Sequence, residues 1–217
     1  LATQTVTWSP TTALSTTASP ATPSSLASAL GGATISYSVT DAGATGCSVD
    51  ASSAVLTFTT AGSCIVRASA AATSNYAAAT RDVTFVISLA TRTLTINAGS
   101  YTSSYTMIAT PPTLTSTASI GSGTKSYASS TLGVCTINSE SGVVAFISAG
   151  TCTITASIAA DDTYASVNSA SISFTTTLAT QTITRTSTSP TSPVVAGTYT
   201  PAATASSGLS VVITIAS

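Results

Sequence analysis

One cysteine-bounded unit occurs twice in this chain, and no other feature limits its folding so sharply. The first copy reads C-S-V-D-A-S-S-A-V-L-T-F-T-T-A-G-S-C, from Cys47 to Cys64; the second reads C-T-I-N-S-E-S-G-V-V-A-F-I-S-A-G-T-C, from Cys135 to Cys152. Each spans 17 positions, and the copies lie 88 residues apart (135 − 47). Phe58 maps to Phe146, and Ala61-Gly62 to Ala149-Gly150, at the same offset. A period of that length divides 217 residues into two full units and a remnant.

The unit starts are equally regular. Leu1-Ala-Thr-Gln-Thr-Val-Thr is followed by Leu89-Ala-Thr-Arg-Thr-Leu-Thr and by Leu178-Ala-Thr-Gln-Thr-Ile-Thr. These starts divide the chain into units 1–88, 89–177 and an incomplete 178–217. Thr alternates with Val6 and Trp8, with Leu94 and Ile96, and with Ile183, the period-two pattern of a half-buried strand. Residues 9–23, rich in Ser, Thr and Pro, read as an irregular crossing. Ile35, Tyr37 and Val39 alternate next, with Tyr127 in the matching place of the second copy.

Alternation also assigns the cysteines. Cys47 shares a face with Val49, Cys64 with Val66 and Ala68, Cys135 with Ile137, and Cys152 with Ile154, Ala156 and Ile158. That face is the core, because a one-residue slip would expose the whole set. The expectation is two buried disulfides, Cys47–Cys64 and Cys135–Cys152, beside Phe58 and Phe146. A zinc site needs tighter cysteine pairs or histidines, and the chain has no histidine. Paired cysteines of this kind suit an oxidising, extracellular compartment.

Seven or so short strands per 88 residues, with turns every 8–12, give an all-β chain of two-sheet antiparallel sandwiches. Tyr76 and Tyr164, just before each last strand, read as packing residues. The junction Phe85-Val-Ile-Ser-Leu-Ala-Thr91 holds no Gly or Pro, so neighbouring units are expected to keep a fixed relation in a rod-like array. In the third copy Gly208, Val211, Ile213 and Ile215 match Gly32, Ile35, Tyr37 and Val39. Half a sandwich leaves open edges, so either further chain or a second chain is expected to complete it.

Composition excludes several functions. Five Lys and Arg stand against six Asp and Glu, a net charge of −1 that offers no footprint for nucleic acid or anionic lipid. Mean hydropathy of +0.47 with so little charge is the opposite of a disordered composition. No apolar run is long and unbroken enough to insert into a membrane. The acids Asp41, Asp50, Asp82, Glu140, Asp161 and Asp162 do not pair at matching positions of the two copies, and with no histidine the usual general base is missing. Ser122-Gly-Thr-Lys125 fits S-x-x-K without the accompanying motifs of that enzyme class. Asp161-Asp162 supplies too few oxygens for calcium. The expectation is no enzyme and no cofactor or metal.

The L-A-T-Q-T starts, the segment Tyr199–Val211 (Y-T-P-A-A-T-A-S-S-G-L-S-V) and the paired C-x₁₆-C with A-G-[ST]-C resemble bacterial immunoglobulin-like tandem repeats. The resemblance implies tandem Ig-like sandwiches from a large secreted or surface-anchored protein. It implies a stalk or a self-assembled surface filament whose partners are further copies of the repeat in cis and other copies of the chain in trans. The alternative is an adhesin that grips a glycan or protein, for which Tyr101 and Tyr105 are the candidate aromatic contacts. The tryptophan-on-disulfide hallmark of antibody domains is not matched, since Trp8 lies on the first strand and has no later counterpart.

Overall fold

A computed structural model describes residues 1–215. Its first repeat contains β1 (Val6–Thr7), β2 (Ala13–Ser15), β3 (Ser28–Ala29), β4 (Ile35–Asp41), β5 (Ser48–Val49), β6 (Leu56–Thr57), β7 (Gly62–Ala70) and β8 (Ala79–Ser88). One sheet has the order β2-β8-β7-β4. The facing layer pairs β1 with β3 and β5 with β6, and an antiparallel bridge ties Ala21, in the segment before β3, to Leu56 of β6. Between the layers lie Trp8, Tyr37, Leu56, Phe58, Val66 and Phe85, all buried. Tyr37, Leu56, Val66 and Phe85 are apolar members of alternating strands, and Trp8 and Phe58 continue the alternation one residue past β1 and β6, so burial follows from the pleat.

The second repeat has the same plan in β9 (Leu94–Ile96), β10 (Ser104–Thr106), β11 (Ser116–Ala118), β12 (Lys125–Ser129), β13 (Cys135–Ile137), β14 (Val144–Phe146), β15 (Gly150–Ile158), β16 (Val167–Asn168) and β17 (Ile172–Thr177). Its larger sheet runs β10-β17-β15-β12, with β16 also on β15; β9–β11 and β13–β14 face it. A separate buried cluster from Leu94 to Phe174 fills it. Both repeats are immunoglobulin-like sandwiches.

One strand in each repeat departs from the antiparallel expectation. Residues 9–23, irregular by their Ser, Thr and Pro content, nonetheless contain β2, which pairs in parallel with β8 (Ala13↔Val86, Leu14↔Ile87). β10 pairs in parallel with β17 in the same way (Tyr105↔Thr176). After β1 the chain passes from one sheet to the other without reversing direction, so it must lie parallel to the last strand at that edge. Three residues of mixed Ala, Leu and Ser carry too little alternation to announce it.

The remnant forms β18 (Ile183–Arg185) against β19 (Ala203–Ala205), the counterpart of β9 against β11. The strand expected over Val211, Ile213 and Ile215 is not formed. Its counterparts β4 and β12 pair with β7 and β15, and residues 178–215 offer no such partner.

Candidate functional site

The disulfides tie layer to layer. Cys64 lies on β7 opposite Phe85 of β8, and Cys47 sits just before β5 of the facing layer. Their Cα atoms are 6.3 Å apart with a sulfur–sulfur bond of 2.02 Å. Cys135 pairs across from Phe146, and Cys152 across from Phe174; here the Cα atoms are 5.6 Å apart. Cys64, Cys135 and Cys152 are wholly buried and Cys47 nearly so. Phe58 is buried beside the first bridge, but Phe146 is only half-buried. The staple therefore holds the two layers of each sandwich together at mid-core.

A second repeated device was not anticipated from the sequence. The fourth residue of the first two L-A-T-[QR] starts is buried, Gln4 in the first repeat and Arg92 in the second, whereas Gln181 of the third start is exposed. Gln4 Nε2 donates to the carbonyls of Ala71 (3.1 Å) and Ala77 (2.8 Å). Arg92 reaches the two matching carbonyls, Nε donating to Ala165 (3.0 Å) and Nη2 to Ala159. Each side chain thereby clasps both ends of the loop before the last strand onto the start of its own repeat. Gln4 Oε1 is buried and finds no partner among the described residues. Arg92 has a third nitrogen, Nη1, and it donates to Asp161 Oδ2 at 2.9 Å.

That contact explains Asp161. The position holds Thr73 in the first repeat, whose hydroxyl accepts the N–H of Tyr76 at 3.2 Å. Asp161 Oδ1 accepts the equivalent Tyr164 N–H at 2.7 Å and that of Thr163 at 3.0 Å. The Tyr164 N–H foremost, with those of Thr163 and Ser122 and the Arg92 charge, holds the Asp161 carboxyl down to about 2 against the opposing effect of desolvation. The two positions hold neutral residues, Gln4 and Thr73, in the first repeat and a charged, hydrogen-bonded pair, Arg92 and Asp161, in the second. Among the described residues no group of three or more His, Cys, Asp or Glu is placed to hold a metal ion.

The other acids serve local turns or the surface. Asp50 Oδ1 accepts from the backbone N–H groups of Ser53 and Ser52 and from both hydroxyls, and these bonds hold its carboxyl well below the usual range. Its counterpart Asn138 caps the same turn without charge. Asp41 caps the Gly43 N–H. Asp82 is depressed by its hydrogen bonds from Arg67, but both side chains are more than 40% exposed, so the pair contributes little stability. Lys125 Nζ donates to the Ser116 carbonyl at 2.7 Å.

Tyr76 and Tyr164 are packing residues. A β-carbon on Gly31 would fall 2.6 Å from the Tyr76 ring, and one on Gly121 would fall 3.0 Å from the Tyr164 ring. Both glycines have positive φ, so each turn needs glycine for its conformation and for the ring's approach.

Tyr101 and Tyr105 are likewise not a free binding loop. The Tyr105 ring stands 5.4 Å from Phe146 and 5.2 Å from Phe174, and Tyr101 stands 6.4 Å from Phe174. The reason lies in the first strand. Trp8 covers Tyr37 at 5.1 Å and Phe85 at 5.8 Å in the first repeat, whereas the second repeat has the smaller Ile96 there. Tyrosines from the crossing segment cover Phe174 instead.

The junction between repeats has its own contacts. Thr16, in the short 3-10 turn Thr16–Ala18 after β2, donates its hydroxyl to the Thr163 carbonyl at 2.6 Å and accepts the Ala90 N–H at 3.1 Å. Ala90 also bridges to Tyr164. A side chain of the first repeat therefore joins the loop and the first residues of the second.

No protein-family model matches this chain, and no curated protein sequence does. Solved structures similar to it include human protocadherin-24 EC1-2, at 8% identity over 71% of this chain and 85% of that one, with a TM-score of 0.35. Another is a C-terminal 282-residue fragment of intimin in complex with the intimin-binding domain of its translocated receptor (17% identity, 70% of this chain and 54% of that one, TM-score 0.29). A third is the surface layer protein SbsC, domains 1–6 (14% identity, 83% of this chain and 29% of that one, TM-score 0.29). The assignment of the fold rests on the strand pairing described above.

Proposed function

We propose that this chain is a structural segment of an extracellular bacterial repeat protein, in which stapled Ig-like units in series form a stiff stalk or a self-assembled surface filament. The observation that carries the reading is the paired repetition of a buried cystine with a buried polar clasp, Gln4 or Arg92, in each sandwich. Both devices resist separation of strands, and neither presents a group to a ligand. The Thr16 contacts support a fixed junction. Disulfides on this pattern fit an oxidising compartment, and near-zero net charge leaves little long-range repulsion between copies. The adhesin reading is weakened at its aromatic loop, because Tyr101 and Tyr105 are partly buried against the second core.

Thiol titration of the chain from its native source, denatured without reductant, is expected to find no reactive cysteine. Two or more reactive thiols would overturn the extracellular reading. Sizing the same material on dilution separates the two forms: a filament persists as assemblies, and a stalk runs as an elongated monomer.

A further inference from the structure

The chain contains three Thr-Pro steps, and each copy of the repeat holds one of them in the same loop. Thr22-Pro23, Thr110-Pro111 and Thr200-Pro201 lie in the segments that lead into β3, β11 and β19. Those strands pair with the first strand of their own unit, through Ala29, Ala118 and Ala205. The threonines precede these alanines by seven (29 − 22), eight (118 − 110) and five (205 − 200) residues. The step therefore stays with this loop in all three copies while the loop's length drifts.

The three threonines share a setting. Each is exposed and lies outside any strand. Among the described residues no hydrogen bond engages their hydroxyls. Several strand hydroxyls, by contrast, pair with one another, Thr153 with Ser173 at 3.0 Å and Thr155 with Ser171 at 3.1 Å. The proline that follows has no N–H to occupy the oxygen, and its ring biases the threonine towards extended backbone. An extended, uncovered segment with a free hydroxyl is a form that a transferase cleft can take up.

Charge decides what is transferred. No Asp, Glu, Lys or Arg lies within ten positions on either side of any of the three. The five basic side chains all donate elsewhere: Arg67 to Asp82, Arg81 to the Trp8 carbonyl, Arg92 to Asp161, Lys125 to the Ser116 carbonyl and Arg185 to Ser189. A phosphate on these threonines would find no cation to pair with, whereas a neutral sugar needs none. Ser- and Thr-rich segments with proline are also the composition of O-glycosylated stalks.

We infer that Thr22, Thr110 and Thr200 are O-glycosylation sites, each carrying a neutral hexose. Transfer from a glycosyl-phosphate donor forms a bond between the sugar's anomeric carbon and the threonine Oγ1. The bond from that carbon to the donor's phosphate oxygen breaks, the phosphate leaves with the electron pair, and the hydroxyl proton passes to a base of the transferase. The sites are independent of the mechanical role proposed above, since they use neither a cystine nor a clasp, and thiol titration does not report on them.

The test weighs the intact chain from its native source. Its mass is expected to exceed that of the sequence by whole hexose units, and fragmentation that keeps side-chain groups attached should place them on Thr22, Thr110 and Thr200. Phosphatase should leave the mass unchanged. The chain with Thr22→Val, Thr110→Val and Thr200→Val, made in the same host, is expected to lose those units. An unmodified mass overturns the proposal, as does an increment that phosphatase removes, or sugar confined to other residues. Should the triple variant fail to accumulate, the site map of the unmodified chain decides alone.

Discussion

Replacing Cys135 and Cys152 together by alanine is expected to lower the unfolding free energy of the second repeat by about 3 kcal/mol, the chain-entropy value for a loop of this length. Both sulfurs are wholly buried, so lost packing adds to that figure. The bridge joins β15 to β13 of the facing layer. The first repeat has its own core and its own bridge, so its transition should stay in place. Urea unfolding of the oxidised variant would show this as one shifted and one unshifted transition. A shift below about 1 kcal/mol, small against the entropic value, would mean that the cystine is incidental to stability.

Asp161→Thr is expected to destabilise the second repeat by a different route. The Arg92 side chain has no exposure and Asp161 only 20%. Removing the carboxylate leaves a covered guanidinium without its counter-charge, which is expected to lower the urea midpoint of the second repeat and leave that of the first in place. The double change Arg92→Gln with Asp161→Thr recreates the pair found in the first repeat. A neutral amide there reaches the same two carbonyls, as Gln4 does, so the double variant should recover more than half of the loss. Additive losses in a double-mutant cycle would remove the clasp from the account. The pH dependence has a definite sign. The Asp161 carboxyl lies below its ordinary 3.8, at about 2 in the fold. Its contribution is therefore complete above pH 3.8 and disappears as pH falls towards 2. The Asp161→Thr chain should lack that acid loss.

The parts of the fold that were legible in the sequence are those that alternate. Cys64, Val66, Ala68 and Ala70 are buried in turn along β7, and a period of two in β-branched and small residues is visible without a structure. The clasp was not legible, because a glutamine or arginine among threonines looks like surface. Its partners lie 67 to 73 residues away, and only folding brings them together. The repeat did hold a signal: the Gln4-to-Arg92 change accompanies the Thr73-to-Asp161 change at the same offset of 88. The tyrosines misled for a related reason. Tyr101 and Tyr105 break the repeat, which suggests a loop for contact, but they pack on Phe174 in a core that has Ile96 where the first has Trp8. β2 was missed because three residues on a parallel edge leave no pattern.

The central claim is that the sandwiches stand in series and not folded against one another. Small-angle scattering of the oxidised chain tests it most directly. A compact globule of this length has a radius of gyration of about 17 Å. The account predicts a value clearly above that, with a distance distribution extended to long separations. A single symmetric peak at the compact value would contradict it.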